Sequence, residues 1–233
     1  MKIVSFKICP FVQRITALLE AKRIAYDLEF ISLSGKPQWF LNLSPHGQVP
    51  VLITDTGTVL FESDAIAEYL EEAYPALNPG ESPEQRALNR AWSHLAAKNY
   101  LVQCSAQRSP DRITLIERSE KLSQAFDKIE IALGSSTYFN GETIGMVDIA
   151  WLVLLHRAHI VEMHTGFDFI GERSKLKTWQ KTLMASGLAE KSVAPDFEAA
   201  FADFYLSDET YLGRGYDIHS PTADQICAAG ACC

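Results

Sequence analysis

Cysteine is scarce in this sequence of 233 residues, and it is unevenly placed. The chain contains five cysteines, and three of them, Cys227, Cys232 and Cys233, lie within the last seven residues. An odd number of cysteines crowded at one end does not suggest the disulfide framework that stabilises small secreted domains. A protein of a reducing compartment fits this pattern better.

Long apolar runs and runs of basic residues are also missing. The longest apolar run, residues 149–155, is far too short to span a bilayer, and Met1 is not followed by the uninterrupted apolar stretch of a secretory signal. The formal net charge is −8, which disfavours binding to nucleic acid or to anionic membranes. We therefore expect a cytoplasmic protein without nucleic-acid or membrane partners.

The first 75 residues alternate between strand-like and helix-like patterns. Apolar or alternating segments predict strands at residues 3–6, 26–30, 49–53 and 59–61. Helices are predicted after Cys9 and from Ser63, as the N-cap, to just before Pro75, and a short helical or irregular segment begins at Lys36. The order β-α-β followed by β-β-α predicts an α/β domain over residues 1–75, with helices packed on one small sheet.

Strand-like patterns disappear in the second half of the chain. Residues 76–83 are rich in proline, glycine and serine and are predicted to form a linker. Apolar residues then recur at helical spacing over five segments: 84–106, 111–133, 145–160, 174–186 and 195–206. We therefore predict an all-helical domain over residues 84–206, followed by a C-terminal tail over residues 207–233.

Cys9 lies where the first strand ends and the first helix begins. Pro10 suits the first position of a helix, which makes Cys9 the predicted N-cap. The free N–H groups and the positive dipole at a helix N-terminus lower the pKa of a thiol, which is about 8.5 in free cysteine. We predict a nucleophilic thiolate at Cys9, with a small buried apolar residue as the alternative. Arg14, one turn further, is interpreted as a charge on the helix surface.

Several motifs in this order resemble one known family. A first strand is followed by CPFVQR, KPQWF, NLSPHGQVPVL, a hairpin, and FES at a helix start. This arrangement is similar to that of the glutathione transferase superfamily. It is most similar to the cysteine-type branch of the superfamily, with its omega, lambda and dehydroascorbate-reductase-like members. The resemblance covers residues 1 to about 206 and implies a thioredoxin-like N-terminal domain and a helical C-terminal domain. His46 departs from the omega pattern, which more often has an apolar residue there.

The resemblance implies glutathione as co-substrate, and the sequence offers groups for each part of this peptide. Ser63 and the N-terminus of its helix are expected to bind the γ-glutamyl carboxylate, and Glu62 the ammonium group. The Val49–Pro50 peptide bond is expected to be cis, which turns the backbone N–H and C=O groups of Val49 outward. These groups are expected to hydrogen-bond to the cysteinyl peptide of glutathione. Lys36 matches the lysine that the omega class places near the glycyl carboxylate of glutathione. The alternatives are that Ser63 is only a helix cap, that Pro50 is a trans proline at a sheet edge, and that Lys36 is an ordinary surface lysine.

The expected reaction is glutathione-dependent thiol transfer or reduction. Cys9 would attack a disulfide, dehydroascorbate or an S-conjugate. Because position 12 is Val12 rather than a second cysteine, external glutathione would resolve the mixed disulfide. One alternative is conjugation of glutathione to electrophiles, and another is a non-catalytic binding module of the same fold. Members of this superfamily commonly form dimers, so the resemblance implies a homodimer.

Three further features are interpreted as structural or idle. The segment before Asp148 resembles the cap of a buried helix, with Gly145 where the family usually has serine or threonine, so Asp148 is interpreted as structural. The loosely spaced His156, His159 and His164 do not predict a metal site. The tail is expected to pack on the body or stay mobile, and its cysteines are interpreted as idle, with metal binding or exchange with Cys9 as the alternative.

Overall fold

A four-stranded mixed sheet forms the centre of the N-terminal part of the chain. The structure is a computed structural model, and it describes residues 1–215. The strands are β1 (Lys2–Ser5), β2 (Asp27–Phe30), β3 (Val51–Ile53) and β4 (Val59–Phe61), in the spatial order β2-β1-β3-β4. Strand β1 is parallel to β2 and antiparallel to β3, which is antiparallel to β4.

Helices cover both faces of this sheet. They are α1 (Pro10–Lys22), α2 (Gln38–Leu43) and α3 (Ser63–Ala73). Helices α1 and α3 share the main core with Ile3 and Leu52, whereas Phe40 of α2 packs on the other face with Val4 and Val51. The predicted order of strands and helices in this part is therefore confirmed.

Strand β2 is less buried than its alternating pattern predicts. The strand is paired on one side only, and its Leu28 and Phe30 side chains are 37% and 41% exposed. Leu28 lies opposite Ile3 of β1, which is completely buried. The expectation of a half-buried strand with these two apolar side chains inside is wrong, because the helix layer does not extend over the sheet edge.

The second part of the described chain is helical. Its helices are α4 (Pro83–Gln107), α5 (Arg112–Ala132), α6 (Met146–Thr165), α7 (Ser174–Ala185), α8 (Leu188–Lys191) and α9 (Phe197–Tyr205). Five of them match the five predicted segments, and α6 is several residues longer than predicted. Helix α8 was not predicted, since four residues are too few to show a helical period. Within residues 1–215 no helix has both the length and the apolarity needed to cross a membrane.

Residues 74–82, between α3 and α4, contain neither helix nor strand. They overlap the predicted linker 76–83, although the exact domain boundaries stay predictions. The start of the predicted tail packs on the helical part: Thr210, Tyr211 and Leu212 are buried, and the Tyr211 N–H donates to the Ser109 carbonyl at 2.8 Å. Cys227, Cys232 and Cys233 lie outside the described residues.

Helix α6 is the buried centre of the helical part, and Asp148 fixes its beginning. The Asp148 carboxylate accepts three hydrogen bonds, from the backbone N–H groups of Gly145 at 2.8 Å and Phe139 at 3.0 Å, and from the Trp179 indole at 2.8 Å. Gly145 is the N-cap, and a Cβ at this position would lie 2.4 Å from the Asn78 side-chain oxygen. A larger residue at this position would therefore require the Asn78 side chain to move.

Replacing the Asp148 carboxylate is expected to destabilise the protein strongly. In Asp148→Ala, three donors lose their acceptor in the interior. Each unsatisfied buried donor costs about 1–3 kcal/mol, so we expect the free energy of unfolding to fall by about 3–5 kcal/mol in urea denaturation. The control is Asp203→Ala, at an exposed position of α9, which should change it by less than about 0.5 kcal/mol. A loss below about 1 kcal/mol for Asp148→Ala would contradict the structural role.

Candidate active site

Cys9 is the N-cap of α1, as predicted. Its backbone N–H donates to the Phe6 carbonyl at 3.0 Å, and its own carbonyl accepts from Gln13 at 3.1 Å. Pro10 occupies the first helical position, where no backbone N–H is needed. The residue is partly buried, and the backbone N–H groups of Phe11 and Val12 favour the thiolate form of its side chain. The local sequence thus places the thiol at the positive end of α1.

The net electrostatic effect on this thiol is opposite to the expected one. Burial raises the pKa of Cys9, and this effect outweighs the lowering by the Val12 and Phe11 N–H groups and by the Arg157 guanidinium. The nearby Cys104 adds a further small rise. The expectation of a lowered pKa is therefore wrong for the ligand-free protein, because the sequence reveals the helix end but not the desolvation around it.

Arg157 is a buried cation beside Cys9 that the sequence analysis missed. The residue is fully buried on α6, and its Nη2 donates to the Ile8 carbonyl at 3.3 Å. Its guanidinium lies over the rings of Phe197 and Phe201, 5.3 and 5.7 Å from their centroids. Its Nε and Nη1 have no hydrogen-bond partner among residues 1–215. The signal that could have identified it is a charged residue inside an apolar helix.

A small pocket lies next to the N-terminus of α1. It is lined by Phe11, Ser44, His46, Gln48, Val49, Pro50, Phe61, Glu62 and Ser63. Phe11 also contacts the helical part, since its ring lies 5.2 Å from that of Tyr100, centroid to centroid. The pocket therefore brings together four of the predicted binding residues and lies beside Cys9, which is two residues before Phe11 but is not part of the lining.

Glu62 and Ser63 form one wall of this pocket. Helix α3 begins at Ser63, and its N-cap is Glu62, so the prediction of Ser63 as N-cap is wrong by one residue. The cause is the backbone of Glu62, whose φ of 67° and ψ of 118° end β4 and start α3 abruptly. Such a conformation costs a non-glycine residue about 1–3 kcal/mol and is common at binding sites.

The first turn of α3 offers free hydrogen-bond donors to the pocket. No side chain among the described residues caps this helix, and the first intrahelical bond runs from the Ile66 N–H to the Glu62 carbonyl. The N–H groups that precede Ile66 therefore have no acceptor within the helix. Together with the positive end of the helix dipole they make this wall suitable for an anion.

The Val49–Pro50 peptide bond is cis, so this prediction is confirmed. Lys36 does not line the pocket, but its ammonium group lies close to it. The Lys36 Nζ is 3.8 Å from the place where a Cβ on Gly47 would be, and Gly47 is flanked by the lining residues His46 and Gln48. The Lys36 ammonium group therefore places a positive charge at the rim of the pocket.

Arg14 is not a surface charge, and that interpretation is wrong. The side chain is buried and forms an ion pair with Asp64 in the first turn of α3. His94 of α4 lies 3.3 Å from the other carboxylate oxygen. Burial raises the pKa of Asp64, but Arg14 and His94 outweigh it, so that this pKa lies below its ordinary value. The pair fixes α1 against the helix that carries Ser63.

The histidines of α6 have structural contacts. His156 is buried, its Nδ1 accepts a hydrogen bond from the Gln13 side-chain amide at 2.8 Å, and its ring stacks on Phe197. Burial lowers the pKa of His156 to about 3, so the ring is neutral at physiological pH. His164 contacts Glu198 at 2.7 Å. No group of three or more His, Cys, Asp or Glu side chains suited to a metal ion occurs in the described part of the chain.

Alkylation of Cys9 should report the raised pKa directly. We expect the rate constant with iodoacetamide to rise about tenfold per pH unit through pH 8.5, the value of free cysteine, because the thiolate fraction is still growing there. The measurement follows the tryptic peptide Ile8–Arg14 by mass spectrometry, with the Cys9→Ser variant as blank. A plateau between pH 6 and pH 8 would mean that the helix end and Arg157 prevail over burial.

Comparison with known proteins agrees with this architecture. The family model described as "Glutathione S-transferase, N-terminal domain" matches residues 8–73, and "Glutathione S-transferase, C-terminal domain" matches residues 115–180. Glutathione S-transferase omega-1 of Sus scrofa is 30% identical over 213 residues, covering 89% of this chain and 87% of the relative. The probable glutathione S-transferase DHAR2, chloroplastic, of Oryza sativa subsp. japonica is 27% identical and covers 80% and 65%.

A solved structure confirms the expected fold. Glutathione transferase Omega 3C from Trametes versicolor superposes with a TM-score of 0.72 at 22% identity, covering 87% of this chain and 89% of that one. The four-stranded sheet with its helices and the helical second part are thus the fold that the resemblance implied. Taken with the matches along most of the chain, these likenesses show that the protein is an enzyme of the glutathione S-transferase family, which uses glutathione as co-substrate.

Proposed function

We propose that the protein is a glutathione-dependent thiol transferase and reductase in which Cys9 is the nucleophile. The observation that carries the proposal is a partly exposed cysteine at the N-terminus of α1, beside a pocket whose wall is the uncapped start of α3. Such a pair of helix ends suits two anions, a cysteine thiolate and a carboxylate. Glutathione carries a carboxylate at each end and a thiol between them.

Each end of glutathione has a group to receive it. The γ-glutamyl carboxylate binds the Ser63 hydroxyl and the free N–H groups of α3, while Glu62 binds the neighbouring ammonium. The peptide part of the cysteinyl residue pairs with the backbone at Val49, next to Pro50. Lys36 binds the glycyl carboxylate from the rim. In this orientation the glutathione sulfur points past Phe11 towards Cys9.

The reaction proceeds by thiol–disulfide exchange. The Cys9 thiolate attacks one sulfur of a small disulfide, forms a mixed disulfide and releases the other half as a thiolate. Glutathione thiolate then attacks the mixed disulfide, which regenerates Cys9. The N–H groups of Phe11 and Val12 and the guanidinium of Arg157 stabilise the anionic sulfur each time it forms. Dehydroascorbate is a second proposed substrate. Its reduction oxidises the same thiols, those of Cys9 and glutathione.

The cellular setting follows from the sequence and the resemblance. We propose a cytoplasmic homodimer, since this superfamily commonly dimerises and the composition favours a reducing compartment. Both points stay predictions. The role of the tail beyond residue 215 also stays a prediction.

The test of the proposed function compares two activities in one protein. Reduction of 2-hydroxyethyl disulfide and of dehydroascorbate by glutathione should be high, and conjugation of 1-chloro-2,4-dinitrobenzene low. Cys9→Ser should abolish both reductions, because serine forms no disulfide, and should leave glutathione binding in calorimetry unchanged. If Cys9→Ser keeps its reductase rate, the nucleophile lies elsewhere. If conjugation dominates in the unaltered protein, the enzyme is a conjugating transferase instead.

Ser63→Ala tests the carboxylate site separately from the chemistry. The variant removes one hydrogen bond to a charged group, which is worth about 1.5–3 kcal/mol, so the Kd for glutathione should rise about ten- to 150-fold. The matched control is Ser135→Ala, at an exposed position of the helical part, which should leave the Kd unchanged. An unaltered Kd in calorimetry for Ser63→Ala would reduce this hydroxyl to a structural element of α3.

A further inference from the structure

A second thiol, Cys104, lies on α4 one turn after Tyr100, whose ring contacts that of Phe11 next to the Cys9 segment. Both cysteines are partly buried, and both border the same apolar core. They are 95 residues apart in the sequence, so no local motif connects them. Position 12, where a neighbouring resolving cysteine would stand, is occupied by Val12.

Helix α6 contacts both of the segments that carry these cysteines. The Gln103 side chain, next to Cys104, donates to the Leu154 carbonyl at 2.9 Å. Ile8, next to Cys9, accepts from Arg157 at 3.3 Å. Leu154 and Arg157 are three residues apart on α6, which is less than one helical turn and about 4.5 Å along the axis. The two cysteine-bearing segments therefore meet within one turn of the same helix.

Tyr205 of α9 lies near both thiols. Its hydroxyl interacts electrostatically with Cys104, Arg157 and Cys9. Its ring packs on Phe201 with 4.8 Å between centroids, and Phe201 lies under the Arg157 guanidinium. The two cysteines, the Tyr205 phenol and the buried Arg157 cation thus lie near one another.

We propose that Cys104 is a resolving thiol that converts the mixed disulfide on Cys9 into an internal Cys9–Cys104 disulfide. The inference rests on the proposed function, since it needs Cys9 to form a mixed disulfide first. The Cys104 thiolate attacks the Cys9 sulfur, the new S–S bond forms, and the bound group leaves as a thiolate. The nearby Tyr205 hydroxyl orients the Cys104 sulfur.

Glutathione then restores both thiols in two steps. One glutathione thiolate attacks the Cys9 sulfur and displaces Cys104 as a thiolate. A second glutathione attacks the resulting mixed disulfide, releases Cys9, and leaves as glutathione disulfide. In the full cycle one substrate disulfide is reduced to two thiols, and two glutathione molecules are oxidised to one disulfide.

The experiment uses the full chain with Cys227, Cys232 and Cys233 replaced by serine, so that Cys9 and Cys104 are its only thiols. The protein is treated with glutathione disulfide, quenched with acid, blocked with N-ethylmaleimide and analysed by intact mass and non-reducing tryptic mapping. We expect loss of two hydrogens without a bound glutathionyl group. The map should contain peptide Ile8–Arg14 linked to peptide Asn99–Arg108.

Adding Cys104→Ser should trap the preceding step. Because the resolving thiol is then missing, the Cys9–glutathione adduct should accumulate roughly tenfold or more over the parent. The matched control is Ser105→Ala, the exposed neighbour of Cys104, which should still form the crosslink. Circular dichroism checks that each variant is folded, and Cys104→Ala replaces the serine variant if it is not.

The possible outcomes separate this inference from the proposed function. A Cys9–glutathione adduct that accumulates equally with and without Cys104 overturns the resolving role and leaves the thiol transferase intact. If no adduct and no crosslink form on Cys9 in any variant, the proposed function itself is wrong. The crosslink map of the parent protein decides the matter even if every Cys104 variant fails to fold.

Discussion

Buried polar contacts hold helix α1 in place on several sides, and the geometry of the whole site depends on them. Gln13 bonds to His156 at 2.8 Å, Thr16 donates to a backbone carbonyl of the helical part at 2.6 Å, and Arg14 pairs with Asp64. A buried polar group that loses its partner costs about 1–3 kcal/mol. Helix α1 therefore cannot turn or slide without breaking several such contacts at once, and Cys9 keeps a fixed position between the two parts.

The same packing creates a conflict at the thiol. The end of α1 and the Arg157 guanidinium favour the thiolate of Cys9, whereas its burial disfavours the thiolate and prevails in the ligand-free protein. Oxidation of a cysteine follows its thiolate character and its exposure, so a partly buried, protonated thiol resists non-specific damage. Arg157 still supplies a desolvated positive charge, with two nitrogens that have no hydrogen-bond partner within residues 1–215. This charge can stabilise negative charge when it develops there.

The anion-binding wall depends on an equally rigid junction. Glu62 adopts an unfavourable backbone conformation because β4 changes direction within one residue into α3. The ion pair between Arg14 and Asp64 anchors the first turn of α3 to α1, and this anchoring maintains the strained residue. As a result, the thiol and the free N–H groups near Ser63 are positioned by one connected set of contacts.

Local patterns in the sequence determined the order of strands and helices, the five long helices of the second part and Cys9 as an N-cap. They also indicated four of the residues that line the pocket, Val49, Pro50, Glu62 and Ser63. These features depend on neighbours within a few residues, which a sequence displays directly. The sequence did not reveal that Arg157, Cys104 and Tyr205 lie near Cys9, since each belongs to a different helix far from Cys9 in the chain. Only the tertiary structure decided this cluster and the direction of the pKa of Cys9, because desolvation and proximity are sums over atoms from elements far apart in the chain.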